Sequence, residues 1–197
     1  MSAFDQRELR NALGRFATGI TVITTLPANS KAEGLTANSF TALSLEPPLI
    51  LWCLLKNSPV LNAFVQCEYF AVNILRSSQR DLSNQFATPV ADKFAGVDWS
   101  KGLGGAPLLR DSLAHFECRH YARHEGGDHL IFIGEVERFT YTDGSPLLYN
   151  MGAYGVAIDH PDNADADADA GAAATDSADS ADSDTSNRKI DDADLLW

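Results

Sequence analysis

Three short stretches of this chain combine residue types and spacing that suit a polar ligand. Thr36-Ala37-Asn38-Ser39-Phe40-Thr41 concentrates small hydroxyl and amide side chains within an otherwise β-forming segment, just ahead of Pro47-Pro48. Such a run either faces water at a sheet edge or lines a pocket with hydrogen-bonding groups. Lys56-Asn57-Ser58-Pro59 puts a cation and a hydroxyl where a helix is expected to begin. The free N–H groups and dipole of a helix start favour a phosphate, although a plain N-cap uses the same residues. Gly126-Gly127-Asp128-His129 sets an imidazole beside a tight turn, as a ligand-facing group or as a solvated turn residue.

Other familiar devices fail on spacing. Gly102-Leu103-Gly104-Gly105 lacks the GxGxxG pattern and the flanking strand and helix that a dinucleotide fold needs. His115, His120, His124 and His129 crowd one region, but His115 and His120 fall on opposite faces of a strand and no HxxxH helix fits there, so no metal site is expected. Cys53, Cys67 and Cys118 are odd in number, have no CxxC spacing and sit among apolar residues, which reads as buried free thiols. No GxSxG elbow is present.

The three stretches sit within a series of expected helices and strands. Phe4, Leu9, Leu13, Phe16 and Ala17 recur at helical spacing after a Ser2/Asp5 cap, predicting an amphipathic helix ended by Gly19. Strands are expected over residues 20–25, 35–45, 49–55 and 69–75, with a short helix capped by Ser58 and another over residues 78–87. Residues 96–105 read as a Gly-rich loop containing Trp99. Residues 113–123 and 130–140 form the clearest hairpin, and Asp143-Gly144 turns the chain into a last strand over residues 147–158. Hairpin-linked strands with few helices predict a mainly β fold, an antiparallel barrel with accessory helices, rather than a βαβ sheet.

The 197 residues, 45% of them hydrophobic, suffice for one domain of ordinary size. The net charge of −12 is concentrated at one end, since residues 159–197 hold 12 of the 27 acids and only Arg188 and Lys189 as bases. Residues 1–158 are therefore near neutral and residues 159–197 form an acidic, low-complexity tail expected to be disordered, with Ile190, Leu195, Leu196 and Trp197 as its only anchors. Nothing in this charge pattern suits nucleic acid or an anionic membrane, and no apolar run approaches the roughly 18 residues of a membrane span. The polar start, Met1 to Arg10, makes a cytoplasmic location the expectation.

Taken together and in order, RNALGRFATGITVIT, GLTANSFTALSLEPPLILWCL, KNSPVLNAF, FAVNIL, DLSNQFA, DKFAGVDW, GGDHLIFIGEV and PLLYNMGAY resemble the short-chain flavin reductase family, over about Phe4 to Gly155. That resemblance implies an antiparallel FMN-binding split barrel and a homodimer. The implied activity is that of an NAD(P)H:flavin oxidoreductase, with FMN or FAD as hydride acceptor and NADH or NADPH as donor, supplying reduced flavin to a partner monooxygenase. A non-catalytic flavin-binding or electron-carrier protein of the same barrel is the alternative. The resemblance also implies residue roles. Thr36, Ala37, Asn38, Ser39 and Phe40 would line the flavin ring, Lys56, Asn57 and Ser58 its phosphate, and Gln85 and Phe86 the segment that closes over it. Tyr154 and the catalytic His129 would stand near the nicotinamide. Met151 replaces an Arg common in the family's final motif, and the acidic tail has no counterpart in it.

Overall fold

The computed structural model describes residues 5–28 and 31–161. Its elements, in chain order, are α1 (Gln6–Leu13), β1 (Thr18–Gly19), β2 (Thr21–Thr25), β3 (Glu33–Ala37), β4 (Thr41–Leu45), β5 (Pro48–Leu55), α2 (Leu61–Gln66), β6 (Tyr69–Ile74) and α3 (Arg80–Ala87). After these come β7 (Trp99–Lys101), β8 (Pro107–Leu109), β9 (Ala114–Gly126), β10 (His129–Tyr141), β11 (Leu147–Asn150) and β12 (Ala153–Val156). Seven strands form one sheet in the order β3-β2-β6-β9-β10-β5-β4, with every neighbouring pair antiparallel. In a flat sheet its two edge strands would lie roughly 29 Å apart, six spacings of about 4.8 Å. Yet β3 and β4 are consecutive, and the few residues from Ala37 to Thr41 reach at most about 14 Å. The sheet therefore curls round until its edges approach, giving a mainly β, antiparallel split barrel whose gap is bridged by residues 38–40.

Two apolar clusters lie on the two faces of this curled sheet. Inside are Ile23, Trp52, Phe64, Phe70, Val72 and Phe132, with Trp52 stacked on Phe132 at 4.6 Å between ring centroids and met edge-on by Phe64 and Phe70. Outside, Val22, Leu75, Phe86, Leu109 and Leu147 pack between the sheet, α3 and the small β1-β11-β12 sheet. This double covering explains why β2 reads as an unbroken β-branched run: all five of its residues are buried. Buried Asn73 ties the layers together, with Nδ2 donating to the Val22 carbonyl (2.9 Å) and Oδ1 accepting from the Leu109 N–H (2.8 Å).

Several sequence expectations change. The strand expected over residues 35–45 is broken at Asn38–Phe40, because the chain leaves the ladder with β2 at Ala37 and joins that with β5 only at Thr41. Ser58 and Pro59 form a turn; α2 begins at Leu61 and has no side-chain cap. The Gly-rich loop contains Trp99 within β7, paired to β8. The final strand is a hairpin, turned at Met151 (φ +50°) and Gly152 (φ +81°), which a methionine at the first turn position conceals. α1 stops at Leu13, six residues before Gly19, which lies in a strand, and its N-terminus is capped by Asp5, whose Oδ1 accepts from the Arg7 N–H at 2.8 Å. Ser2 and, from residue 162 onward, the acidic tail lie outside the described residues, as do the expectations placed on them.

Candidate functional site

The break between β3 and β4 forms one wall of a cleft of about 500 Å³, within the range of small-molecule sites. Thr36, Ala37, Asn38 and Ser39 line this wall, and Asn57, Ser58, Phe86 and His129 reach the same cleft from other elements. Ser39 shows how the wall is built. Its Oγ accepts from the Cys53 N–H (3.0 Å) and donates to the Cys53 carbonyl (3.2 Å). The β4–β5 register pairs Thr41 with Leu51, so Cys53 is where the ladder would have continued at residue 39. A side chain thus takes over the strand's hydrogen bonds to β5, and the main chain of residues 38–40 is released from both ladders. Main-chain groups freed in this way must be satisfied by water or by a ligand.

The opposite wall is α3. Gly34 of β3 lets it approach: a Cβ there would meet the Phe86 ring at 2.7 Å. Phe86 is fully buried and stands edge-on to Phe94. Thr36 Oγ1 donates to the Ser83 carbonyl at 2.6 Å, and the Tyr154 hydroxyl donates to Asn84 Oδ1 at 2.9 Å while contacting the Ser83 hydroxyl at 2.9 Å. Tyr154 itself lines a smaller adjoining depression that shares Thr36, Asn38 and Ala87 with the cleft. β3, α3 and β12 are therefore locked together at the edge of the site.

His129 comes from the β9–β10 turn, where Gly127 adopts a positive φ of +67°. Its Nδ1 meets Asp128 Oδ1 at 2.7 Å, a hydrogen bond that holds the Asp128 carboxyl below the usual carboxylate range. With Nδ1 paired to a carboxylate, Nε2 is the nitrogen left for a ligand.

Besides Tyr154, which lines the adjoining depression, three of the expected residues do not face the cleft. Phe40 packs against the inner core and tilts onto Phe116. Gln85 Nε2 donates to the carbonyls of Lys93 (2.9 Å) and Ala95 (3.0 Å), so it braces the loop after α3. Lys56 pairs with Glu125, donates from Nζ to the Gly127 carbonyl (2.7 Å) and donates its main-chain N–H to the Asp128 carbonyl of the same turn (2.9 Å). It ties the hairpin that bears His129 to the end of β5.

Lys93, a cation not among the expected site residues, does line the cleft. Lys93 donates from Nζ to the carbonyls of Phe86 (2.7 Å) and Gly34 (3.2 Å), and burial pushes its pKa down. The signal for it was the Asp92-Lys93-Phe94 run, whose lysine follows the α3 closing segment. Cys53 also lines the cleft, and its thiol pKa is raised by burial; all three cysteines are free.

The family model for a flavin reductase like domain matches residues 13–157, the whole barrel and its small sheet. This chain belongs to that family. A probable flavin reductase of Rhizobium meliloti is 48% identical over 151 residues, which are 77% of this chain and 49% of that protein. The chain thus spans about half the length of that relative. An FMN reductase (NADH) of Agrobacterium fabrum, SmoA, is 42% identical over 77% of this chain and 86% of its own. Among solved structures, the Streptomyces globisporus NADH:FAD oxidoreductase SgcE6, in complex with NAD and FAD fragments, superposes with a TM-score of 0.74 at 39% identity, covering 80% of this chain and 94% of that one. Among the described residues, no helix is long and apolar enough to cross a membrane.

Proposed function

We propose that this chain is an NAD(P)H:flavin oxidoreductase that reduces FMN or FAD and passes the reduced flavin to a partner monooxygenase. The observation that carries the reading is the release of the main chain at residues 38–40 on one side of a cleft whose other rim presents His129. A flavin held in this cleft would itself supply the hydride-accepting ring, so the protein needs no nucleophile or metal. The chain's own work is to bind and orient. The N–H groups of residues 38–40, fixed by the Ser39 bonds to β5, would offer hydrogen bonds to the polar edge of the ring, and such preset donors stabilise negative charge better than mobile water. Ala37, Leu54 and Val60 exclude water beside them. Asn57, Ser58 and Lys93 would take the phosphate, with Lys93 as the cation. His129 Nε2 would contact the pyridine nucleotide, and Tyr154 would keep α3 seated against the ring.

The reading extends to assembly and location. Phe16, Leu45, Phe139 and Tyr141 are 60–79% exposed, and α1 buries no residue within the chain, which supports a homodimer that covers these surfaces. Three free cysteines suit the reducing cytoplasm.

The reading is tested by NADH oxidation with added riboflavin, FMN or FAD. Consumption of NADH that depends on both protein and flavin is expected. Flavin binding without NADH consumption would favour the carrier protein instead, and neither binding nor turnover would remove the flavin reading altogether.

A further inference from the structure

Lys93 is a cation without a counter-charge. Its side chain is half-buried beside the cleft, and among the described residues no carboxylate forms an ion pair with it. Glu33, the carboxylate whose charge reaches it, is paired with Lys31 at 3.7 Å. A charge drawn partly out of water in this way is costly unless a ligand supplies the missing anion. Of its three N–H donors, two go to the carbonyls of Phe86 (2.7 Å) and Gly34 (3.2 Å), which leaves one for the cleft.

What holds Lys93 in place lies outside the cleft. It belongs to the segment between α3 and β7, which pairs with no strand and so has no ladder to fix it. Gln85 of α3 takes over that task. Its Nε2 donates both N–H groups to main-chain carbonyls of this segment, those of Lys93 (2.9 Å) and Ala95 (3.0 Å). Between these two points the Phe94 ring stands edge-on to Phe86 and Trp99. Pinned on both sides of Phe94, the segment turns the Lys93 side chain back over the end of α3. A lysine side chain is flexible and strongly hydrated, so with the segment released its ammonium would swing out to water.

We infer that Gln85 is a positioning residue: by pinning residues 93–95 it keeps the Lys93 ammonium at the cleft wall, and so sets how strongly the protein prefers a flavin that carries a phosphate over riboflavin. The inference rests on the flavin reading of the cleft. It gives Gln85 a role through Lys93 and not through contact with the flavin, unlike the closing role that the family resemblance implies.

The test is equilibrium binding of riboflavin and FMN to the full chain, read by flavin fluorescence, for the wild type, Gln85→Ala, Lys93→Ala and the double variant. Gln85→Met, which keeps the length of the side chain without its donors, serves as a second variant. Wild-type protein should bind FMN about tenfold more tightly than riboflavin, as a charge-assisted contact allows. Gln85→Ala and Gln85→Met should each cut that preference by about fivefold and leave the riboflavin Kd unchanged, which also shows that the variants are folded. In the Lys93→Ala background, Gln85→Ala should change the preference no further, because its effect passes through the ammonium. Gln85 variants that weaken both flavins alike or neither, or a full further loss in the double variant, would overturn the inference. So would a wild type that binds the two flavins equally. Failure of both flavins to bind the wild type would overturn the flavin reading of the cleft and the inference with it, whereas the other outcomes leave that reading standing.

Discussion

Two of the cleft's sides, the β3–β4 break and the β9–β10 hairpin, are made by different means. On the β3–β4 side the groups proposed to face the ligand are main chain, held in place by barrel closure and by Ser39 bonded twice to Cys53. On the hairpin side they are side chains at an exposed turn, where His129 is held by Asp128 and the turn itself by Lys56 and Glu125. The first side is anchored at both ends by strand ladders and in the middle by Ser39. The second is fixed by contacts open to solvent, which are individually weak. A wall of the first kind suits a ring that must be held in one orientation; a wall of the second kind suits a dinucleotide that arrives and departs each cycle.

This contrast can be broken most severely at Gly34. Gly34→Leu would drive side-chain atoms into the Phe86 ring and push α3 off β3. Overpacking at a buried contact costs about 1–3 kcal/mol, occasionally more, and should appear as a lower Tm together with loss of measurable flavin binding. Retained flavin affinity would mean that α3 is not part of the site.

His129→Ala sharpens the comparison from the other wall. Loss of one ligand contact of roughly 1–3 kcal/mol should lower kcat/KM for NADH by about 5- to 150-fold, with flavin Kd nearly unchanged. An unchanged kcat/KM would make His129 a turn residue only.

Ser39→Ala should act the opposite way. It leaves the Cys53 N–H and carbonyl without their partner, at a cost of about 1–3 kcal/mol, part of it as stability and part as flavin affinity weakened by up to about tenfold. The KM for NADH, measured at saturating flavin, should not move. A selective rise in that KM would erase the distinction between the walls.

The smallest effect is expected at Lys56. Because its ammonium is committed to Glu125 and the Gly127 carbonyl, Lys56→Ala should raise the KM for NADH only a few-fold. FMN and riboflavin should weaken equally or not at all. A loss confined to FMN would return Lys56 to the phosphate role implied by the family resemblance. Lys93 is the contrasting case, since burial lowers its pKa from the ordinary lysine value of 10.5. Its proton is lost at lower pH than that of a free lysine, so the advantage of FMN over riboflavin should fade as pH rises through that lowered value. A preference that is flat up to the ordinary lysine range would place the phosphate elsewhere.

What could be read from the sequence was local chemistry. Thr36–Ser39, Asn57, Ser58, Phe86 and His129 were recognisable from composition, order and family resemblance, and the structure gathers them around one cleft. The barrel was legible in outline because hairpin turns such as Gly127-Asp128 carry their own signals. The interruption at residues 38–40 was not, because it follows from closure between strands at opposite ends of the sheet order, which no local window contains. The same reason hides the partners of Lys56 and Gln85. Glu125 reaches Lys56 only through the β5–β10–β9 pairing, and Gln85 turns away from the cleft because the loop at residues 93–95 offers it two carbonyls.

The most direct test of the account is anaerobic mixing of the protein–flavin complex with NADH, following the flavin absorbance. The account predicts that the flavin bleaches in a single turnover at a rate that saturates with NADH, and that His129→Ala shifts the half-saturating NADH concentration upward without displacing the flavin. A complex that binds flavin and NADH but does not bleach would contradict it.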